Sequence, residues 1–417
     1  MPYDVIVIGA GASGLAAARD LVEAGARVLV LEARDRIGGR VHSVRHDACD
    51  LPIDLGPEFV HGLAPETLAL AERARLPIVE VPASHFVARA GKLRRKDDYL
   101  AELVDILGVL SRAGPDEPVA ARLARLRSRE RRRMALDFVC GFEGVDPARA
   151  SSVAISANLP DADSARQLRL VTGYTPLVDA LGVGLPIRLR RIVTRITHAA
   201  GRVEVHAQHG TRRQVERARA VLVTVPVGVL RAASGARGSI AFDPDPPAMR
   251  RAIGGLAMGQ VVRLVLALDR PFGELVGQTD ASFVHAVDPS FPAWWPPYPM
   301  RTSTVVAWVG GPPATEIGDG ARDALVESAK STMRRTLGVR SPVIRHAWVH
   351  DWRHDPFARG AYAYALVGCT HAGRQLARPI ARTLFFAGEA LSAHYPGTVE
   401  GALETGRAAA RRILATL

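Results

Sequence analysis

The first 32 residues constrain this chain more than any other stretch. Asp4-Val5-Ile6-Val7-Ile8 is a near-continuous apolar run, as a parallel strand buried on both faces requires. It leads directly into Gly9-Ala10-Gly11-Ala12-Ser13-Gly14, then a helix-period segment from Ser13 to Ala24, then Gly25, then a second apolar strand Arg27–Leu31 ending at Glu32. This is a complete βαβ start carrying the G-x-G-x-x-G turn. Gly9 permits the tight turn, Gly11 lets the backbone approach a pyrophosphate, and Gly14 lets the helix pack close on the strand. Glu32 is placed to accept hydrogen bonds from a ribose 2′-hydroxyl. An acid there, rather than an arginine, disfavours a phosphorylated ribose and leaves FAD and NAD open.

The rest of the chain has room for more than this unit. At roughly 100–200 residues per domain, 417 residues imply two or three domains. Apolar stretches are interrupted before the ~20 residues that a membrane helix needs, and the start lacks the basic, small-residue pattern of an export signal. A soluble cytoplasmic enzyme without a membrane partner is expected. Cys49, Cys140 and Cys369 show no CxxC spacing, so they read as reduced thiols, and no metal site is expected. A net charge of +12 raises the question of a nucleic-acid partner. The arginines are scattered, however, and the one dense run, Arg122–Arg133, has helical spacing without interleaved aromatics. It reads as a solvated helix face, which disfavours nucleic acid.

Beyond Glu32, Ala33-Arg34-Asp35-Arg36-Ile37-Gly38-Gly39-Arg40 places two glycines and an arginine where the chain passes the pyrophosphate again. This E-A-R-x-R-x-G-G-R pattern after a βαβ start resembles the flavin-containing amine oxidase superfamily, whose cofactor is FAD. Arg40 is expected to contact a phosphate, whereas Arg34 suits either a phosphate contact or a surface charge. The likeness continues through Asp54-Leu55-Gly56-Pro57-Glu58-Phe59-Val60-His61-Gly62, which resembles the family segment that runs beside the flavin into the substrate cavity, with Phe59 in place of the usual Trp. Val193 matches a backbone position beside the adenine. The runs Val221–Leu230 and Ile240–Pro244 resemble the family's returning strand, and Trp352–Tyr362 resembles a segment of polyamine oxidases and lysine-specific histone demethylases. Last come Phe385–Ala390, with Gly388 and Glu389, and Tyr395–Ala402, with Thr398 and Val399, ahead of a helix through Ala415. Thr398 is a good N-cap, and the positive end of that helix would favour negative charge on a reduced flavin.

The resemblance implies an α/β protein: a Rossmann-like FAD-binding domain of discontinuous segments, 1–75, 186–245 and 357–417, with an inserted α+β substrate-binding domain, 76–185 and 246–356. That insert is expected to hold a mostly antiparallel sheet, with helices between Lys96 and Phe142. Phe291–Pro299, with Trp294 and Trp295, reads as a loop over the cavity or a hairpin tip at the surface. The family reaction moves a hydride from an amine α-carbon to flavin N5, giving an imine and, with molecular oxygen, hydrogen peroxide. The site residues it implies are Tyr362 as one wall of an aromatic cage, Thr398 at the other wall, Tyr395 in the same region and His61 bonding a substrate amine, with polyamines as the favoured substrate. Arg263 stands where lysine is usual, which implies slow reoxidation, and Ala361 stands where a flavin-linking cysteine occurs in monoamine oxidases, which implies non-covalent FAD. The alternatives are a related FAD enzyme acting on C–C bonds and a basic, non-catalytic flavoprotein that binds nucleic acid or protein.

Overall fold

The computed structural model describes residues 2–111, 114–159, 166–288 and 290–417. Its first strand, Tyr3–Ile8, lies between Val28–Leu31 and Arg212–Val223 and runs parallel to both. Leu384–Phe386 adds a further parallel strand beside Arg212–Val223. On the same sheet, Arg202–His209 and Ile192–Ala199 continue antiparallel, and Ala241–Asp243 forms the edge. Val5, Ile6 and Val7 are wholly buried, which is why this strand reads as a continuous apolar run.

The helix Ala12–Glu23 follows the glycine turn and packs against the last helix, Val399–Leu414. Glycine sets the closeness of both contacts. A Cβ on Gly14 would lie 2.0 Å from the Gly9 carbonyl oxygen, and one on Gly406 would lie 2.2 Å from that of Ser13. The two ends of the sequence therefore meet in one core with the first strand.

A second sheet has seven strands in the order Ile344–His350, Val261–Leu268, Thr304–Gly310, Ala293–Trp295, Phe283–Ala286, His85–Arg89 and Lys92–Arg95. All neighbours are antiparallel except Phe283–Ala286 with His85–Arg89. All eight residues of Val261–Leu268 are buried, with Val262, Leu264 and Leu266 in one cluster with Leu325, Ala329 and Met333 of the helix Arg322–Arg335. Helices Tyr99–Leu107, Val119–Leu123, Arg129–Gly141 and Ser152–Ala157 contribute to a separate core. A small sheet joins Phe59–His61 and Ile78–Glu80 to Gln167–Leu170, so backbone hydrogen bonds link residues on either side of position 75.

Two expectations need correction. Phe291–Pro299 lines the cavity through Pro292, Ala293 and Trp295 but is neither a loop there nor a surface hairpin tip: Ala293–Trp295 is an interior strand, Trp294 is fully buried, and its indole N–H donates to the Phe291 carbonyl at 2.8 Å. The prolines only bound the strand, while the two large rings gain from leaving water. Within the arginine run, Arg125, Arg127, Arg129 and Arg133 are exposed, but Arg122 is buried, paired with Glu117 at 2.7 Å and donating to the Pro115 carbonyl. The three cysteines are free thiols. Among the described residues no helix is long and apolar enough to cross a membrane, and no group of three potential metal ligands occurs.

Candidate active site

Both sheets contribute to one cavity of about 1710 Å³, above the usual range for a single small ligand. At one end it is lined by Gly9, Gly11, Glu32, Arg34, Gly38, Gly39, Arg40 and Val193, and also by Gly56, Pro57, Glu58, Gly388, Glu389, Thr398 and Val399. Gly14 lies just behind, where it sets the closeness of helix and turn. Gly11, the N-cap of the first helix, offers no side-chain cap and bridges to Gly38, so that helix end is open to a ligand. This uncapped end and the glycine cradle fit a nucleotide phosphate.

The charged groups at this end are held by the protein. Glu32, 3% exposed, accepts from the Ala10 and Arg34 backbone N–H groups, each at 2.8 Å. Each carboxylate oxygen keeps a lone pair that a ribose hydroxyl can use. Arg34 pairs with Asp355 at 2.7 Å and lies over the Phe357 ring, so a carboxylate engages its cation. Arg40 donates to the Ala361 carbonyl and to Glu389 at 3.0 Å, tying the second glycine-rich segment to the last motif. Thr398 caps Val399–Leu414 by accepting from the Gly401 N–H at 3.0 Å, and its hydroxyl donates to the Tyr395 carbonyl at 2.8 Å.

Arg263 is buried in the all-buried strand Val261–Leu268 and forms an ion pair with Glu58. Glu58 also pairs with Arg169 at 2.8 Å and accepts from the Trp295 indole at 3.0 Å. Burial alone would raise the Glu58 pKa. The Arg263 and Arg169 charges and the Arg263 and Trp295 hydrogen bonds outweigh it and hold the carboxylate below its usual range. Two positions expected to act separately, one on the cofactor and one on the chemistry, are therefore partners.

The other end of the cavity is built from side chains. Tyr362 lines it, with its hydroxyl donating to the Phe142 carbonyl at 2.8 Å, and Gly397, the residue before Thr398, lies against the same ring. Tyr395 also lines the cavity. His61 packs edge-on to Phe142 at 5.3 Å, and burial pushes its pKa down to about 4, so the ring is neutral at physiological pH. Glu143 faces the cavity without an ion-pair partner among the described residues, and burial raises its pKa to about 7. On the helix Arg129–Gly141, Asp137 also lines the cavity and is pushed up to about 6 by burial, against the pull of Arg133. Sequence reasoning missed Glu143, Asp137, His85, His285 and Tyr99. The only local hint was an acid between Phe142 and Gly144 at the end of a helix.

A glycine cradle opening into a second, side-chain-lined compartment defines a nucleotide-cofactor enzyme that holds its substrate beside the cofactor. The family model for flavin-containing amine oxidoreductases matches residues 12–414. The chain belongs to that family. Polyamine oxidase 2 of Arabidopsis thaliana is 29% identical over 445 aligned residues, covering 97% of this chain and 87% of the relative. Lysine-specific histone demethylase 2 of Homo sapiens is 27% identical and matches 99% of this chain but only 53% of its own length. Among solved structures, cyclohexylamine oxidase from Brevibacterium oxydans superposes with a TM-score of 0.83 at 23% identity, covering 100% of this chain and 99% of that one. Putrescine oxidase bound to putrescine gives 0.82 at 21% identity, with the same shares of each chain covered. The chain is thus a flavin-dependent amine oxidoreductase with the fold of these oxidases.

Proposed function

We propose that this enzyme binds FAD non-covalently and oxidises elongated amines that carry more than one nitrogen, with polyamines as the substrate class. The observation that carries the reading is Glu143, a cavity carboxylate with no ion-pair partner among the described residues and a pKa raised by burial. A substrate ammonium would supply the missing charge. The polyamine oxidase and putrescine oxidase relatives are named for substrates of this kind.

The segments 1–75, 186–245 and 357–417 are assigned to the cofactor, and 76–185 and 246–356 to the amine. Glu32 takes the ribose hydroxyls, and the glycines at 9, 11, 14, 38 and 39 allow the close backbone approach that a pyrophosphate needs. When bound, the flavin accepts the hydride of the amine α-carbon, and molecular oxygen serves as the final acceptor, with release of hydrogen peroxide.

The protein positions and desolvates. Neutral His61 accepts a hydrogen bond from the reacting amine, Tyr362 and Tyr395 form walls that exclude water, and the positive end of Val399–Leu414 favours negative charge nearby. Arg263, clamped by Glu58, keeps its charge but cannot hand on a proton, which makes reoxidation slow. Ala361 offers no sulfur for a flavin bond, and Cys369 packs against Gly255 and Ala372 instead. Acid precipitation tests the cofactor assignment. All yellow colour, identified as FAD, is expected in the supernatant, and colour held in the pellet contradicts it.

A further inference from the structure

A row of aromatic rings leads away from His61 along the cavity. Phe59 lies 6.0 Å from His61 and 5.8 Å from Phe283, and Phe283 stacks on His85 at 5.1 Å. His85 lies nearly coplanar with His285 and edge to edge with it, centroids 5.3 Å and planes 11° apart, and His285 stacks on Tyr99 at 3.8 Å with the planes 9° apart. The backbone sets this order. The parallel strands His85–Arg89 and Phe283–Ala286 pair His85 with Phe283 and Val87 with His285, and Tyr99 opens the helix that follows.

His85 Nδ1 and His285 Nε2 are 2.9 Å apart and bond to each other. The remaining nitrogens, His85 Nε2 and His285 Nδ1, have no protein hydrogen bond among the described residues. In a neutral pair one outer nitrogen is a donor and the other an acceptor, and exchanging both tautomers swaps them. The pair can therefore accept from an ammonium without carrying charge. His285 is only half-buried although it lies deep in the protein, because it opens on the cavity. The nearest charges on Tyr99 come from Asp137, Glu102 and Arg133, with Arg133 within 3.5 Å of Asp137 and Glu102 bound to Lys96. Each of these carboxylates is already paired with a cation, so the free lone pair of the neutral histidine pair is the group left to receive an ammonium.

We propose that His285, bonded to His85 and stacked on Tyr99, is the subsite for the substrate nitrogen remote from the carbon being oxidised. This rests on the amine-oxidising reading above and adds a measure of length. The reacting nitrogen meets His61 and Tyr362, while the remote one reaches the histidine pair.

The holoenzyme is mixed anaerobically with an α,ω-diaminoalkane and with the n-alkylamine of equal chain length, and flavin bleaching gives a Kd for each. Wild type is expected to bind the diamine about tenfold or more tightly than the monoamine, and His285→Leu to reduce that preference to about twofold. A preference retained in flavin-loaded H285L overturns the subsite. A second measurement needs no variant: across diamines of increasing length, wild-type affinity should peak at one length, and a flat series overturns the proposal even if H285L does not fold. Bleaching by monoamines with no gain from a second nitrogen removes the subsite alone, while bleaching by no amine removes the underlying reading with it.

Discussion

At the end of the cavity proposed for the nucleotide, Glu32, Arg34, Arg40, Glu58 and Glu389 each have an ion-pair or hydrogen-bond partner, whereas at the end proposed for the amine His61 and Glu143 have neither among the described residues. At the first end the carboxylates are engaged before any ligand arrives, although Arg169 and the Arg263 Nε keep buried nitrogens without a hydrogen bond, and the surface left for a ligand is largely backbone and glycine. The other holds polar groups at a cost in burial energy that only a substrate offsets. A cofactor that stays bound suits the first construction, and a substrate that must enter and leave suits the second.

Breaking the paired end should have the largest effect. Glu58→Gln leaves the buried Arg169 and Arg263 cations without their counter-charge, and the expected loss is about 3–5 kcal/mol of stability. Urea unfolding measures it, and a midpoint equal to wild type would mean that the cluster is hydrated rather than a strut.

Glu143→Gln tests the unpaired end, with the opposite sign. The native pKa of Glu143 is raised to about 7, so the folded state binds a proton that the unfolded chain releases near pH 4.5. Ionisation therefore costs nothing below that range, begins to destabilise as pH rises through it, and costs its full amount above about 7. Removing the charge should stabilise the ligand-free protein at pH 8 by about 1–2 kcal/mol, allowing for screening by the cavity that Glu143 faces. The same change should weaken polyamine binding and abolish its rise with pH through neutrality. Equal wild-type and variant stabilities at pH 8 would mean that Glu143 is already solvated or paired.

The smallest effect lies where the two ends meet. Arg263→Lys keeps the charge and one contact to Glu58 but restores a titratable ammonium, so reoxidation followed by stopped flow should speed up about threefold or more. An unchanged rate with flavin still bound makes Arg263 purely structural.

This contrast also decides what could be read from the sequence. The glycine turn and the capped last helix were legible because their requirements are local: the turn at Gly9, the helix after it and the acid at Glu32 fall within one short segment, and Thr398 announces its helix by its own side chain. His85 and His285 are 200 positions apart, and no periodicity links them. The Trp294 strand was misread because prolines mark its ends more loudly than its buried rings mark its middle. The partnership of Arg263 with Glu58 was hidden for the same reason, since each residue was read only in its own motif.

The most direct test of the central claim is anaerobic flavin bleaching across a panel of polyamines, diamines and monoamines, followed by readmission of oxygen and measurement of peroxide. The account predicts rapid bleaching by polyamines and long diamines, weaker bleaching by monoamines, and peroxide equal to the amine consumed. A flavin that stays oxidised with every amine, or that bleaches only with substrates lacking nitrogen, would contradict it.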